Sequence, residues 1–253
     1  HLGLDFSRKD EDGITETLLK QLDAQLNLDL LLQITRREVD VTTEVKKNVS
    51  LSGNIWVACN KESFSFIYAE HLDYLNQFGT VTFFDPEDNS AVVPDNVYLP
   101  GGYPENRALQ LSAAPRVIDS VKAHIERGGK TIAECGGMMY LASELVMCKD
   151  PYTAFKMVDA LPMKVSACKD DMRLAMGYRS FDFRGVKLRG HEFHYSRIIE
   201  QDEKLASAVQ VYNAKGHPVN TAVFCYKNLI ASYTHLYWGE TGIWSLFEQV
   251  PGK

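Results

Sequence analysis

The chain has few cysteines, five in 253 residues. Cys59, Cys135, Cys148, Cys168 and Cys225 are odd in number, scattered, and contain no C-x-x-C pair. That argues against a disulfide scaffold or a zinc ribbon and fits a reducing cytoplasm. No apolar run reaches the ~18 residues that a membrane-spanning helix needs. Positive charge is in deficit, with 27 Lys+Arg against 33 Asp+Glu and a net charge of −6. No basic excess is offered to nucleic acid or to an anionic membrane. The first residues lack a charged segment followed by an apolar stretch, so they do not read as a secretory signal. Repeats and low-complexity tracts are missing. A phosphate loop is missing too. Gly129-Lys130-Thr131 resembles the end of one, but the pattern needs glycine five positions before Gly129, where His124 stands. What remains, 45% hydrophobic and 24% charged, has the composition of one or two globular domains with a sizeable core.

The chain opens on His1 rather than Met and reads as a piece of a longer protein. Leu18, Leu19, Leu22 and Leu26, then Leu30, Leu31 and Ile34, recur at helical spacing. They predict short helices over 14–26 and 28–36, and 37–52 reads as a linker. Residues 1–52 therefore form a first segment and 53–253 the main domain. In the latter, the apolar run at 55–59 predicts a strand buried on both faces, and 81–84, 97–99 and 131–133 predict three more strands. Helices are predicted between and after them at 64–78, 115–127 and 137–145. This alternation predicts an α/β fold, a mixed, mostly parallel sheet flanked by helices. Beyond Pro162 the pattern turns β-rich at 175–184, 186–195, 209–213, 221–226 and 229–233, with a last helix over 240–248.

The strongest local signal is Lys130-Thr-Ile-Ala-Glu-Cys135-Gly-Gly-Met-Met-Tyr-Leu. A strand runs into Cys135, two glycines follow, and a helix begins. A nucleophile at such an elbow needs small neighbours because the turn is sharp and the helix packs close. A helix N-terminus favours thiolate over thiol. A second signal, Tyr98-Leu-Pro-Gly101-Gly102-Tyr-Pro-Glu105, also follows a strand. Its glycines can turn N–H groups outward as an anion-binding concavity, joined by the Gly136 N–H as an oxyanion hole. A cysteine nucleophile calls for a histidine base. His71 and His124 fall in predicted helices and read as surface residues. His217 sits in a turn. His235 follows a strand, where an open α/β sheet delivers residues to its ligand-binding edge. His191 and His194 form a rival His-x-x-His pair, but no third ligand accompanies them, so no metal site is expected.

Taken in order, these motifs resemble one family. Leu-Pro-Gly-Gly-Tyr-Pro-Glu, Ala-Glu-Cys-Gly-Gly-x-Met-Tyr-Leu, Gly-His-Glu-Phe-His-Tyr-Ser and Ala-Ser-Tyr-x-His-Leu resemble the C-terminal glutaminase domain of cobyrinate a,c-diamide synthases. These are class I glutamine amidotransferases of the cobyric-acid-synthase type. Ser63-Phe-Ser-Phe-Ile-Tyr and Met176-Gly-Tyr-Arg extend the resemblance, which runs from about Asn54 to Trp238. It implies a flavodoxin-like three-layer fold, Cys135 as nucleophile, His235 as its base, and Gly101, Gly102 and Gly136 around the oxyanion. Glutamine would be hydrolysed through a thioester, and the ammonia passed on to corrin acetate side chains a and c. His1-Leu-Gly-Leu resembles the segment that follows a synthetase domain in this family, so ATP and magnesium would act in a domain left out of this chain. No cofactor is expected in the chain itself; a homodimer is allowed. Many class I members carry Glu two residues after the histidine, and the cobyrinate group commonly carries a second histidine. Tyr237 departs from both, which keeps a catalytically silent docking domain among the readings, beside a glutaminase serving another tetrapyrrole or cobyric acid.

Overall fold

A computed structural model describes residues 14–37, 53–90, 95–239 and 243–247. Contacts divide the chain into two units, His1–Asn48 and Val49–Lys253. The first contains α1 (Ile14–Gln25) and α2 (Leu28–Thr35), as the leucine spacing predicts. The break between them is made by Asn27, whose Oδ1 accepts the Leu30 N–H at 2.9 Å and caps α2. The readings of residues 1–13 and 38–52 lie outside the described residues.

The second unit is built on a six-stranded sheet. Its first half runs β1 (Ile55–Ala58), α3 (Ala69–Leu75), β2 (Val81–Phe84), β3 (Asn96–Leu99), α4 (Ala108–Ser112), α5 (Pro115–Glu126), β4 (Lys130–Glu134) and α6 (Gly136–Tyr140). The chain then makes β5 (Ala142–Lys149), β6 (Tyr152–Lys156), β7 (Leu161–Ser166), β8 (Ala175–Phe183), β9 (Val186–His194) and β10 (Arg197–Gln201). It finishes with β11 (Val211–Asn213), β12 (Pro218–Val219), β13 (Val223–Tyr226), β14 (Leu229–Ser232) and β15 (His235–Leu236). The large sheet has the order β2-β1-β3-β4-β14-β13. All its pairings are parallel except β13 with β14. This is the expected mixed, mostly parallel α/β sheet. From β1 the chain goes to one side and then the other, which opens a crevice at the strand ends.

Side-chain alternation sends each strand into two cores. Val97, Leu99, Ala133 and Ala231 face α4, α5, α6 and the β5–β7 layer. Ile55, Val57, Tyr98, Ile132 and Ile230 face the opposite side with Phe181, Leu188 and Trp238. Helices cover the sheet only in part. The rest is covered by two further sheets, β10-β7-β5-β6 and β12-β11-β8-β9-β15.

Three predicted helices change. The stretch 64–78 is helical only from Ala69, because Phe64 and Phe66 make isolated bridges to Asn60 and Gly101. The helix expected over 137–145 stops at Tyr140, and β5 takes the rest. Of 240–248, residues 243–247 form a 3-10 helix and the remainder lies outside the described residues.

Candidate active site

Strand β4 ends at Glu134, and Cys135 takes φ 47° and ψ −106° before α6 begins. Positive φ in a residue with a side chain costs roughly 1–3 kcal/mol and persists only where the surroundings fix it. Here they do. The Cys135 N–H donates to Ser232 O at 2.8 Å, and Cys135 O accepts the Met139 N–H at 3.0 Å. The two glycines are required by space. A Cβ on Gly137 would lie 2.1 Å from Leu99 O, and one on Gly136 would lie 2.9 Å from Gly102 N. The elbow thus rests directly on the end of β3 and on the Pro-Gly-Gly turn.

His235 arrives on that same turn from the other side. Strand β15 pairs antiparallel with β9, setting His235 opposite His191. The His235 ring lies so close to Gly101 that a Cβ there would sit 2.2 Å from Cε1. Phe66 meets the ring edge-on at 4.5 Å between centroids, and His191 stacks on it at 4.9 Å with 14° between planes. Gly101 and Gly102 therefore join the cysteine elbow to the histidine in one strip of backbone, and the five residues singled out by sequence come together.

The rival candidates separate. His194 lies 2.8 Å from Glu192 Oε1 and 2.9 Å from Ser196 O, and stacks on Tyr233 at 3.6 Å. Its contacts are structural, whereas His191 belongs to the His235 stack. Tyr237 is about half exposed, and its hydroxyl lies against Gly239 beside Glu70. It does not reach His235 Nδ1, which is buried without a partner among the described residues. Among those residues no group of three or more His, Cys, Asp or Glu is arranged to hold a metal.

Burial governs the electrostatics. Desolvation, then the nearby Glu105, Glu134 and Glu192, push the Cys135 thiol far above its usual range, and the Gly136 N–H opposes them. The expected ionised cysteine is therefore corrected. Helix α6 has only five residues, and its terminus does not outweigh the loss of water. His235 is lowered to about 3, first by burial and then by His191, His194 and His71. Burial thus favours the neutral form of both the thiol and the imidazole. The thiol's contact is Phe193 O at 4.0 Å, and no hydrogen bond joins it to His235 among the described residues. Catalytic hydrogen bonds are often slack before substrate binds.

Two expectations fail outright. His71 and His124 are each 1% exposed, not surface groups. His71 stacks on Trp238 at 4.0 Å with 6° between planes, and Gly129 packs on the His124 ring. Sequence reasoning also passed over Glu134 and Glu105, both raised to about 7 by burial. A carboxylate at the end of a strand buried on both faces was the available signal for Glu134.

Residues 55–242 match the CobB/CobQ-like glutamine amidotransferase domain family. The chain belongs to that family. The chain is 30% identical over 254 residues to a cobyrinate a,c-diamide synthase of Sulfurisphaera tokodaii, covering 94% of this chain and 56% of that protein. It is 31% identical over 270 residues to a cobyrinate a,c-diamide synthase of Fusobacterium nucleatum, covering 99% of this chain and 59% of the relative. A hydrogenobyrinate a,c-diamide synthase of Pseudomonas aeruginosa is 31% identical over 243 residues, with 94% and 53% covered. The chain therefore spans a little over half the length of these curated relatives. The amidotransferase family and the α/β sheet agree with the motif order, and among the described residues no helix is long and apolar enough to cross a membrane.

Proposed function

We propose that this amidotransferase domain hydrolyses glutamine through a Cys135 thioester and supplies ammonia for amidating the a and c acetate side chains of a corrin. The observation that carries the proposal is the Gly101-Gly102 strip, with the Cys135 elbow against one glycine and the His235 ring against the other. Cys135 Sγ attacks the side-chain amide carbon of glutamine while its proton passes to His235. Burial keeps the resting His235 ring neutral, so a nitrogen lone pair is free for that proton, while the lowered basicity opposes the transfer until charge develops on the bound glutamine. The tetrahedral oxyanion is stabilised by backbone N–H groups of Gly136 and Gly102. As the carbon–nitrogen bond breaks, His235 returns the proton to the departing ammonia, leaving a γ-glutamyl thioester. Water then attacks the thioester, giving its proton to His235, and glutamate leaves as Sγ recovers a proton.

ATP and magnesium belong to the remainder of such a synthase. This chain has no phosphate loop, and no step above uses them. Relatives named for cobyrinate and for hydrogenobyrinate are about equally similar to this chain, at 30% and 31% identity, which supports an acceptor chosen outside this domain. The described cysteines are all free, which suits a cytoplasmic setting.

The test is labelling with 6-diazo-5-oxonorleucine, a glutamine-like electrophile, followed by peptide mass analysis. Cys135 is expected to take the label, and Cys135→Ala to abolish both labelling and glutamine-driven amidation while sparing amidation from added ammonium. Preferential labelling of Cys148 or Cys225 would overturn the assignment and favour a silent docking domain.

A further inference from the structure

The ring of His235 lacks the orienting partner that a carboxylate two residues later would supply, yet its strand is held firmly from an unexpected side. Strand β15 has two residues, and among the described residues it is paired at one edge, with β9. On the other edge stands Glu134, the residue immediately before the nucleophile. It is 2% exposed. Its Oε1 accepts the Leu236 N–H at 3.1 Å and the Trp238 Nε1–H at 3.3 Å. Its Oε2 accepts the Tyr98 hydroxyl at 2.9 Å. The His71 ring hydrogen-bonds the Leu236 backbone as well, shares a 3.4 Å contact with Tyr98 Oη, and lies flat on Trp238. The peptide groups of Leu236, next to the histidine, are thus clamped by two buried side chains.

We infer that Glu134 is a positioning residue for His235, its carboxylate holding the Leu236 backbone so that one residue chain, Glu134-Cys135, fixes both the nucleophile and the strand that brings its base. The role rests on the reading of Cys135 and His235 as nucleophile and base. It differs from an orienting carboxylate on the ring because Glu134 acts on the backbone and leaves Nδ1 without a partner. A buried carboxylate with three donors is a rigid anchor, since releasing any one of them leaves an unsatisfied group in the core. Burial raises Glu134 to about 7 while those three donors oppose the rise, as expected for a group held by hydrogen bonds rather than by a cation.

The experiment compares Glu134→Ala and Glu134→Gln in glutaminase assays on the complete protein, together with the carbon–proton NMR signal of the His235 ring, assigned by its loss in His235→Asn. Glu134→Ala should lower kcat by 30-fold or more with KM for glutamine within twofold, and should shift or broaden the His235 signal. Glu134→Gln retains an oxygen that can accept from Leu236 and Trp238, so kcat should return to within threefold and the signal to its place. If Glu134→Ala fails to fold, His71→Phe removes the other clamp while keeping the flat stack on Trp238, and it should lower kcat and move the same signal. Near-normal kcat with an unmoved signal in the folded variant, or failure of Gln to restore activity, would overturn the inference. The electrophile test of Cys135 stands apart. Should Cys135 prove unreactive, the catalytic roles fall while the ring signal still reports whether Glu134 holds the strand.

Discussion

At the scale of single residues, space rather than charge sets the site. Gly101 is the sharpest case. An added methyl would stand 2.2 Å from His235 Cε1, so Gly101→Ala must drive the ring out of its place between Phe66 and His191. We expect kcat to fall ~100-fold or more, in line with what misplaced catalytic groups cost, while the thermal midpoint changes little because a side-chain ring can yield. Gly137→Ala should behave oppositely. Its methyl meets the Leu99 carbonyl at 2.1 Å, and backbone does not yield, so the main loss should be in stability, read by denaturant titration. Both glycine pairs were legible in the sequence for this reason, since close approach of backbones demands the absence of Cβ. His71 was not. The apolar positions from Phe64 to Leu75 imitate one long helix face, but the helix begins at Ala69 and turns His71 and Leu75, one turn apart, into the core. A polar residue on a buried helix face looks from sequence like one on an exposed face, and only the partners Tyr98 and Trp238 distinguish them.

At the scale of elements, the parallel strands β1, β3 and β4 were readable because burial on both faces leaves short, continuous apolar runs. Strand β5 was not. Its pairings are interrupted by register shifts between Ala142 and Glu144 and between Val146 and Cys148. Such bulges break the alternation of a strand, and Leu141 and Leu145 are left four apart like a helix face. Strands β8 and β9 were anticipated, but the lock between them was not. Glu192 on β9, 4% exposed, accepts hydrogen bonds from Arg179 on β8 and from Thr221 at 2.7 Å. Replacing it by leucine would leave the largely covered Arg179 guanidinium without its carboxylate and take away the Glu192 partner of His194. Removing one member of such a pair costs about 3–5 kcal/mol. Glu192→Leu should therefore lower the denaturation midpoint markedly. Arg179→Met together with Glu192→Leu should recover much of that loss, because a hydrophobic pair of similar bulk carries no orphan charge.

At the scale of the whole molecule, the buried groups around the site set how stability follows pH. His71 and His235 are lowered to about 4 and about 3 by burial. Between pH ~5 and ~6.5 the unfolded chain binds protons at these histidines that the fold refuses, so their contribution to stability rises with pH. Glu105 and Glu134, raised to about 7, act with the opposite sign. In the same window the fold keeps their protons and the unfolded chain has lost them, so their contribution falls as pH rises. Each fully titrating difference is worth about 1.4 kcal/mol per pH unit, and the two carboxyls offset most of what His71 and His235, joined by the also lowered His191, contribute. The wild-type protein should therefore show a shallow dependence across this window. Glutamine at position 134 mimics the protonated acid and cannot titrate, so it removes one falling contribution. Urea titrations at pH 5, 5.75 and 6.5 should then show Glu134→Gln gaining stability relative to the wild type as pH rises, by about 1.4 kcal/mol per unit at most. Parallel profiles for the two proteins would mean that Glu134 is already ionised in the fold at pH 5. The Leu236, Trp238 and Tyr98 donors would then outweigh the burial that separates the carboxylate from water.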